Sequence, residues 1–139
     1  MKKILLITIG LSISLLADFS RNNDTKIVTD NETGLQWQDN ESVSMTWQEG
    51  INYCEALTLG SYDDWRLPNR NELDSIVDDT KYNPSTSPVF QSFESNGYWS
   101  STTSANFSYR AWVVYFGNGY QYINGKDFSF YVRCVRAGQ

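Results

Sequence analysis

Residues 62–77 read Tyr-Asp-Asp-Trp-Arg-Leu-Pro-Asn-Arg-Asn-Glu-Leu-Asp-Ser-Ile-Val, six charged side chains around one tryptophan. Asn69, three residues ahead of Glu72, forms a capping box. Its side chain can accept from the Glu72 amide while the Glu72 carboxylate reaches back to the Asn69 amide. Pro68 fits just before this start, and Leu73, Ile76 and Val77 supply the apolar stripe of a short helix. Glu72 and Asp74 therefore have structural work in the first turn, where the helix dipole favours negative charge. Trp65 and Leu67 are expected to point inward, with Asp64 and Arg66 satisfying buried backbone or each other. On this reading Asp64, Trp65, Arg66, Leu67, Pro68, Asn69 and Glu72 are scaffold, and ligand contact is the alternative.

Working outward, Thr46 and Glu49 make a second capping box. The helix it opens places Trp47, Ile51 and Cys54 on one face, with Gly60 as its expected end. Gly50 within it is either a close-packing position or merely tolerated. Further upstream, residues 27–28 and 35–38 read as two short strands around the turn at residues 30–34, with Leu35 and Trp37 on one face. That turn carries oxygen ligands, but its spacing does not fit a calcium loop. Residues 18–26 read as a flexible leader. Downstream, residues 79–97 form a surface loop anchored by Val89, Phe90 and Phe93. The pattern then turns to strands: residues 98–101, residues 111–116 with Trp112, Val114 and Phe116 on one face, the Gly117-Asn118-Gly119 hairpin, and residues 120–123. Asn124-Gly125 is an expected turn, and residues 131–136 form a closing strand with Val132 and Cys134 on the same face. The class is α+β, with two helices packed on a small twisted antiparallel sheet.

The first 17 residues stand apart. Lys2 and Lys3, the apolar run of residues 4–16 and the small Ala17 have the pattern of a secretory signal peptide, too short for a convincing membrane span. Left uncleaved, this segment is the one membrane connection the sequence allows. The expected organisation is a signal peptide (1–17), the leader (18–26) and a single domain (27–137), exported to the periplasm, the cell surface or the medium. Without Lys2 and Lys3, nine basic residues face 16 acidic ones, a net charge of −7. No basic cluster remains to hold a phosphate backbone, so nucleic acid is not an expected partner. Cys54 and Cys134 are the only cysteines. Export to an oxidising compartment and their inward phases predict a disulfide, with two buried free thiols as the alternative.

The chain has no histidine. That excludes triads with a histidine base and histidine-ligated zinc. Ser100, Ser101, Thr102 and Thr103 have no base or lysine at a recognisable spacing, and no glycine-rich phosphate loop leads into a helix. No catalytic residue, metal ligand or cofactor is expected. A carboxylate-dependent hydrolase stays formally open, but it needs two carboxyl groups across a cleft. What the sequence offers instead is aromatic. The last third combines tyrosines, tryptophans and phenylalanines with asparagines, and strand alternation turns only some of them inward. Asn106, Tyr109, Tyr115, Asn118, Tyr120 and Tyr122 form the candidate ligand surface, with Phe128 and Asn124 as possible additions. Rings beside amides suit a neutral polar ligand such as a glycan, or a protein partner. Ordinary sheet packing is the alternative for any one ring.

Several segments together carry a family resemblance: Val28-Thr29-Asp30 with Thr33-Gly34-Leu35-Gln36-Trp37, Tyr53-Cys54, Asp64-Trp65-Arg66-Leu67-Pro68-Asn69 with Glu72-Leu73, Tyr98-Trp99-Ser100-Ser101-Thr102, and Val132-Arg133-Cys134-Val135-Arg136. Residues 27–136 resemble the C-terminal domain family of the Legionella collagen-like adhesin, a domain of exported bacterial proteins. That family is in turn similar to the C-type lectin fold shared with the formylglycine-generating enzymes. The resemblance implies a lectin-like fold with Cys54 and Cys134 as its structural bridge, and an exported binding or adhesion module directed toward a glycan. A protein-docking or structural domain of a periplasmic or cell-surface assembly is the alternative. The calcium-binding tripeptides of sugar-binding C-type lectins are absent from this sequence, so any glycan binding is expected to be calcium-independent. The reactive cysteine pair of the enzymes is replaced by the two structural positions.

Overall fold

A computed structural model describes residues 18–138; the expected signal peptide lies outside them. In chain order the elements are β1 (Phe19–Asn22), β2 (Ile27–Asp30), β3 (Gln36–Gln38), β4 (Val43–Met45), α1 (Trp47–Ala56), α2 (Arg70–Asp74), β5 (Gly97–Thr103), β6 (Arg110–Tyr115), β7 (Tyr120–Gly125), β8 (Phe130–Val132) and β9 (Val135–Arg136). The fold is α+β, with two helices against β-structure and one disulfide.

The strands form two sheets rather than the single one expected. One runs β1-β2-β3-β9, the other β4-β8-β5-β6-β7. All pairings are antiparallel except β5 with β8. The division falls inside the expected closing strand. Arg133 and Cys134 interrupt residues 131–136, so that Val132 ends in one sheet and Val135 in the other. The five-stranded sheet is covered on both faces, and alternation along β6 shows how. Ala111 and Val113 join Trp99, Val132, Trp65, Leu67 and the Cys54–Cys134 bridge in one cluster, whereas Val114 and Phe116 join Tyr98, Trp37, Leu73, Ile76 and Phe90 in the other.

Three further expectations are corrected. The supposed leader forms β1, whose Phe19 ring lies 5.7 Å from that of Phe90 and whose Arg21 Nε donates to Asp39 at 2.6 Å. A buried partner for each of these side chains is what orders a polar segment. Helix α1 stops at Ala56, before Gly60, which serves instead at φ +62° in the turn closed by the Leu59–Tyr62 bridge. Asn124 and Gly125 are the final residues of β7, paired with Ala111 and Arg110, and the chain turns after them. Gly50 is a close-packing position, since a methyl group there would meet Val132 at 2.9 Å.

The motif around Trp65 is packed and hydrogen-bonded within the fold. Trp65 and Leu67 are buried, and the indole donates to the Tyr62 carbonyl at 3.1 Å. Asn69 accepts from the Glu72 amide at 2.8 Å, and Glu72 accepts from the Asn69 amide at 3.0 Å. Asp64 and Arg66 do not bond each other. Arg66 makes a two-point contact with Glu72, at 2.6 and 2.7 Å, and Asp64 does the same for Arg136, at 2.6 and 3.1 Å. The Arg66 backbone also exchanges two hydrogen bonds with Val135, each 2.9 Å, which fastens the motif to β9.

Candidate functional site

The hairpin of β6 and β7 carries most of the residues expected to touch a ligand, but at two separate ends. Six consecutive pairs run from Arg110–Gly125 to Tyr115–Tyr120. At about 3.4 Å per residue the two ends lie roughly 17 Å apart.

At the open end, Tyr109, Arg110, Ile123, Asn124, Gly125, Asp127 and Phe128 line a cleft of about 440 Å³. Its walls follow from local structure. The Ser104 amide donates to the Arg110 carbonyl and the Arg110 amide to the Phe107 carbonyl, which curls residues 104–110 into a tight connection ahead of β6. The Lys126 amide donates to the Tyr109 carbonyl at 2.9 Å, binding this connection to the turn after β7. Gly125 gives Phe128 its place, since a methyl group there would meet the ring at 3.2 Å. Tyr109 and Phe128 are 60% and 63% exposed, so neither ring belongs to the core. Phe107 meets Tyr109 edge-on at 5.9 Å, and the Arg110 guanidinium lies over both rings, at 4.9 and 5.3 Å. The cleft thus presents two rings, an amide and one charge of each sign, with no net charge. Exposed Asn106 lies in the same connection, beside Phe107.

At the turn end, Tyr115, Asn118 and Tyr120 come together. Tyr115 folds its ring over Gly117, where a methyl group would meet it at 2.5 Å, and Asn118 accepts from the Tyr120 amide at 3.1 Å. Tyr120 is 71% exposed. Gly119 takes φ +84°, the left-handed conformation that closes the turn, with Val77 tight against it. Tyr122 lies on the same strand face but is half-buried against the Phe130 ring. Burial, then the neighbouring Tyr115, holds its phenol above the ordinary value. Of the six candidate residues, then, Asn106 and Tyr109 stand at one end, Tyr115, Asn118 and Tyr120 at the other, and Tyr122 packs inward.

Phe107, Arg110 and Asp127 were not legible as site residues. The signal for Phe107 was its alternation with Tyr109 in a polar segment ahead of a strand, where two rings project with no core to fill. A smaller cleft of about 170 Å³ lies between Asn22, Thr25, Thr29, Gln36 and Tyr62. Two carboxylates of the Trp65 motif are held in ion pairs. Arg136 holds the Asp64 carboxyl below its usual range, and Arg66 does the same for Glu72. The larger cleft contains a single carboxylate, Asp127, where glycoside hydrolysis needs two. Among the described residues no group of three or more metal-ligating side chains converges.

No curated protein matches the chain. Residues 26–136, including both helices, the disulfide and the whole β6–β7 hairpin, match the Lcl C-terminal domain family. On a match of that extent the chain belongs to the Lcl C-terminal domain family, that of the Legionella collagen-like adhesin.

Proposed function

We propose that the protein is an exported binding module with a C-type lectin-like fold that takes a neutral polar ligand, a glycan, in the cleft between Tyr109 and Phe128 without calcium. One observation carries the reading: two rings more than half exposed flank a concave surface furnished with Asn124, Arg110 and Asp127. Rings that pack on the apolar faces of a sugar, with an amide and charges to reach its hydroxyls, are the usual chemistry of such a surface. Family membership supports a non-catalytic adhesion or binding role and an exported or cell-surface location. The bridge between α1 and the chain just before β9 supports the lectin-like reading.

A glycan array probed with and without a chelator tests the proposal, followed by Tyr109→Ala and Phe128→Ala on any ligand found. The expected result is binding that survives chelation and is lost in both variants while the fold is retained. Binding that needs calcium, or that both variants keep, would overturn it. Because the cleft has no net charge, high salt is expected to leave the affinity unchanged.

A further inference from the structure

The β7 strand is an edge, with β6 as its only neighbour in the sheet. Its six residues include no charge and no proline, and its register with β6 runs without a bulge. Those are the devices by which edge strands are ordinarily protected from pairing with another chain. The opposite edge, β4, is only three residues long and leads at once into α1.

The face beside this edge has an unusual electrostatic character. Of the six arginines, Arg21, Arg66, Arg133 and Arg136 each have a carboxylate within 3.2 Å. Arg70 and Arg110 have none within ion-pair distance among the described residues. Arg70 reaches from α2 across the Trp112 ring, 3.5 Å from its centroid, and its Nε donates to Gln121 of β7. Gln121 and Ile123 share this face with Trp112, since Ile123 pairs directly with it, and Arg110 lies on the same face two residues along β6. From Arg110 to Gly125 the hairpin has no acidic residue, in a chain that carries 16. Acidic side chains stand at its two ends, Asp127 beside the cleft and Asp79 at the turn.

We propose that β7 is a docking edge for an extended segment of another protein, one with an acidic side chain near its centre. Such a segment adds as a sixth strand about 4.8 Å from β7 and sets every second side chain on the Arg70 face. A carboxylate opposite Gln121 then meets the outer nitrogens of a guanidinium already held in place by a ring and an amide. Asp79 and Asp127 disfavour acids at the two ends, which fixes the register. This goes beyond the glycan reading and does not depend on it.

The test is to pan a displayed library of random peptides, about ten residues long to span the strand, on the whole protein, and to synthesise the enriched sequence. The expected consensus alternates β-branched or aromatic residues around one central Asp or Glu. Replacing that acid by its amide, or Arg70→Gln in the protein, weakens binding about tenfold, the loss of one charge-assisted contact. Amide hydrogen exchange on the unaltered protein gives a second readout that does not depend on a variant folding: β7 amides slow when the peptide is bound. A consensus without an acid, affinity indifferent to Arg70→Gln in a folded variant, protection away from β7, or no enrichment overturns the proposal. So does pairing of β7 with a second copy of the chain that excludes the peptide. A failed glycan screen leaves this result untouched, because the readouts are Arg70 and the β7 amides.

Discussion

Asp39 and Arg133, 94 residues apart in sequence, face each other at 3.2 Å with neither side chain exposed. The Asp39 carboxylate also accepts from Arg21 at 2.6 Å and from the amides of Gln91 and Ser92 at 2.9 and 3.1 Å. Arg133 in turn donates to the Gln38 and Ser92 carbonyls and lies 4.5 Å from the Phe93 ring centroid. One buried pair thus ties β1, the segment after β3, the long loop and the β8–β9 junction together. Removing one partner strands the other charge in the interior. Asp39→Asn is therefore expected to lower stability by about 3 to 5 kcal/mol, measured by chemical denaturation. A loss under 1 kcal/mol would show that water reaches the pair.

Glu72 sets an acid limit. The Arg66 hydrogen bonds, assisted by the Asn69 amide, hold its carboxyl below the usual value of 4.5. A carboxyl depressed on folding contributes stability that is complete above its unfolded pKa and is lost as the pH falls through the lower folded one. Stability is therefore expected to decline below about pH 4.5, and Glu72→Gln to shrink that decline while lowering the neutral-pH value. Denaturation midpoints between pH 2 and 7 decide it. An unchanged pH profile in the variant would remove Glu72 from the account.

Cys54 and Cys134 are bonded across a sequence separation of 80 residues. Thiol titration of the unfolded, unreduced protein is expected to find no free thiol. Reduction is expected to cost about 4 kcal/mol by the loop-closure estimate. Two reactive thiols per chain would contradict the bridge.

Trp65, 2% exposed, fills the space between α1, the disulfide and the sheet. Trp65→Ala is expected to cost about 3 to 5 kcal/mol in chemical denaturation, as emptying a large buried aromatic position does. Full stability combined with lost ligand binding would instead move the motif to the functional side.

What the sequence reveals follows the range of the forces involved. The start of α2 was legible because a capping box acts over three residues, and the inward phases of Cys54, Val132 and Cys134 because periodicity is local. β1 and β4 were not legible. Each is four residues or fewer; β4 has only the distant β8 as a sheet partner, and β1, although paired with the neighbouring β2, anchors its Phe19 and Arg21 side chains on Phe90 and Asp39. The same distance hid the Asp39–Arg133 pair. For the site, alternation gave Tyr115, Tyr120 and Tyr122 outward phases, but Tyr122 packs against the core beside Phe130. Alternation could not show that Tyr109 stands a strand's length away from them, nor that Phe107 and Arg110 join it, because loop curvature at residues 104–110 depends on hydrogen bonds that leave no periodic trace.

The crossing of the chain from one sheet to the other at Arg133 and Cys134 has a consequence for biogenesis. β4 has no sheet partner except β8, β3 is closed on its outer side only by β9, and the disulfide and the buried guanidinium both sit at the two-residue junction between them. A nascent chain that lacks residues 130–136 can finish neither sheet and cannot neutralise Asp39 from that side. Pairings of such sequence separation form late and slowly. Folding is therefore expected to complete only once residues 130–136 are available to both sheets and the Cys54–Cys134 bridge can form.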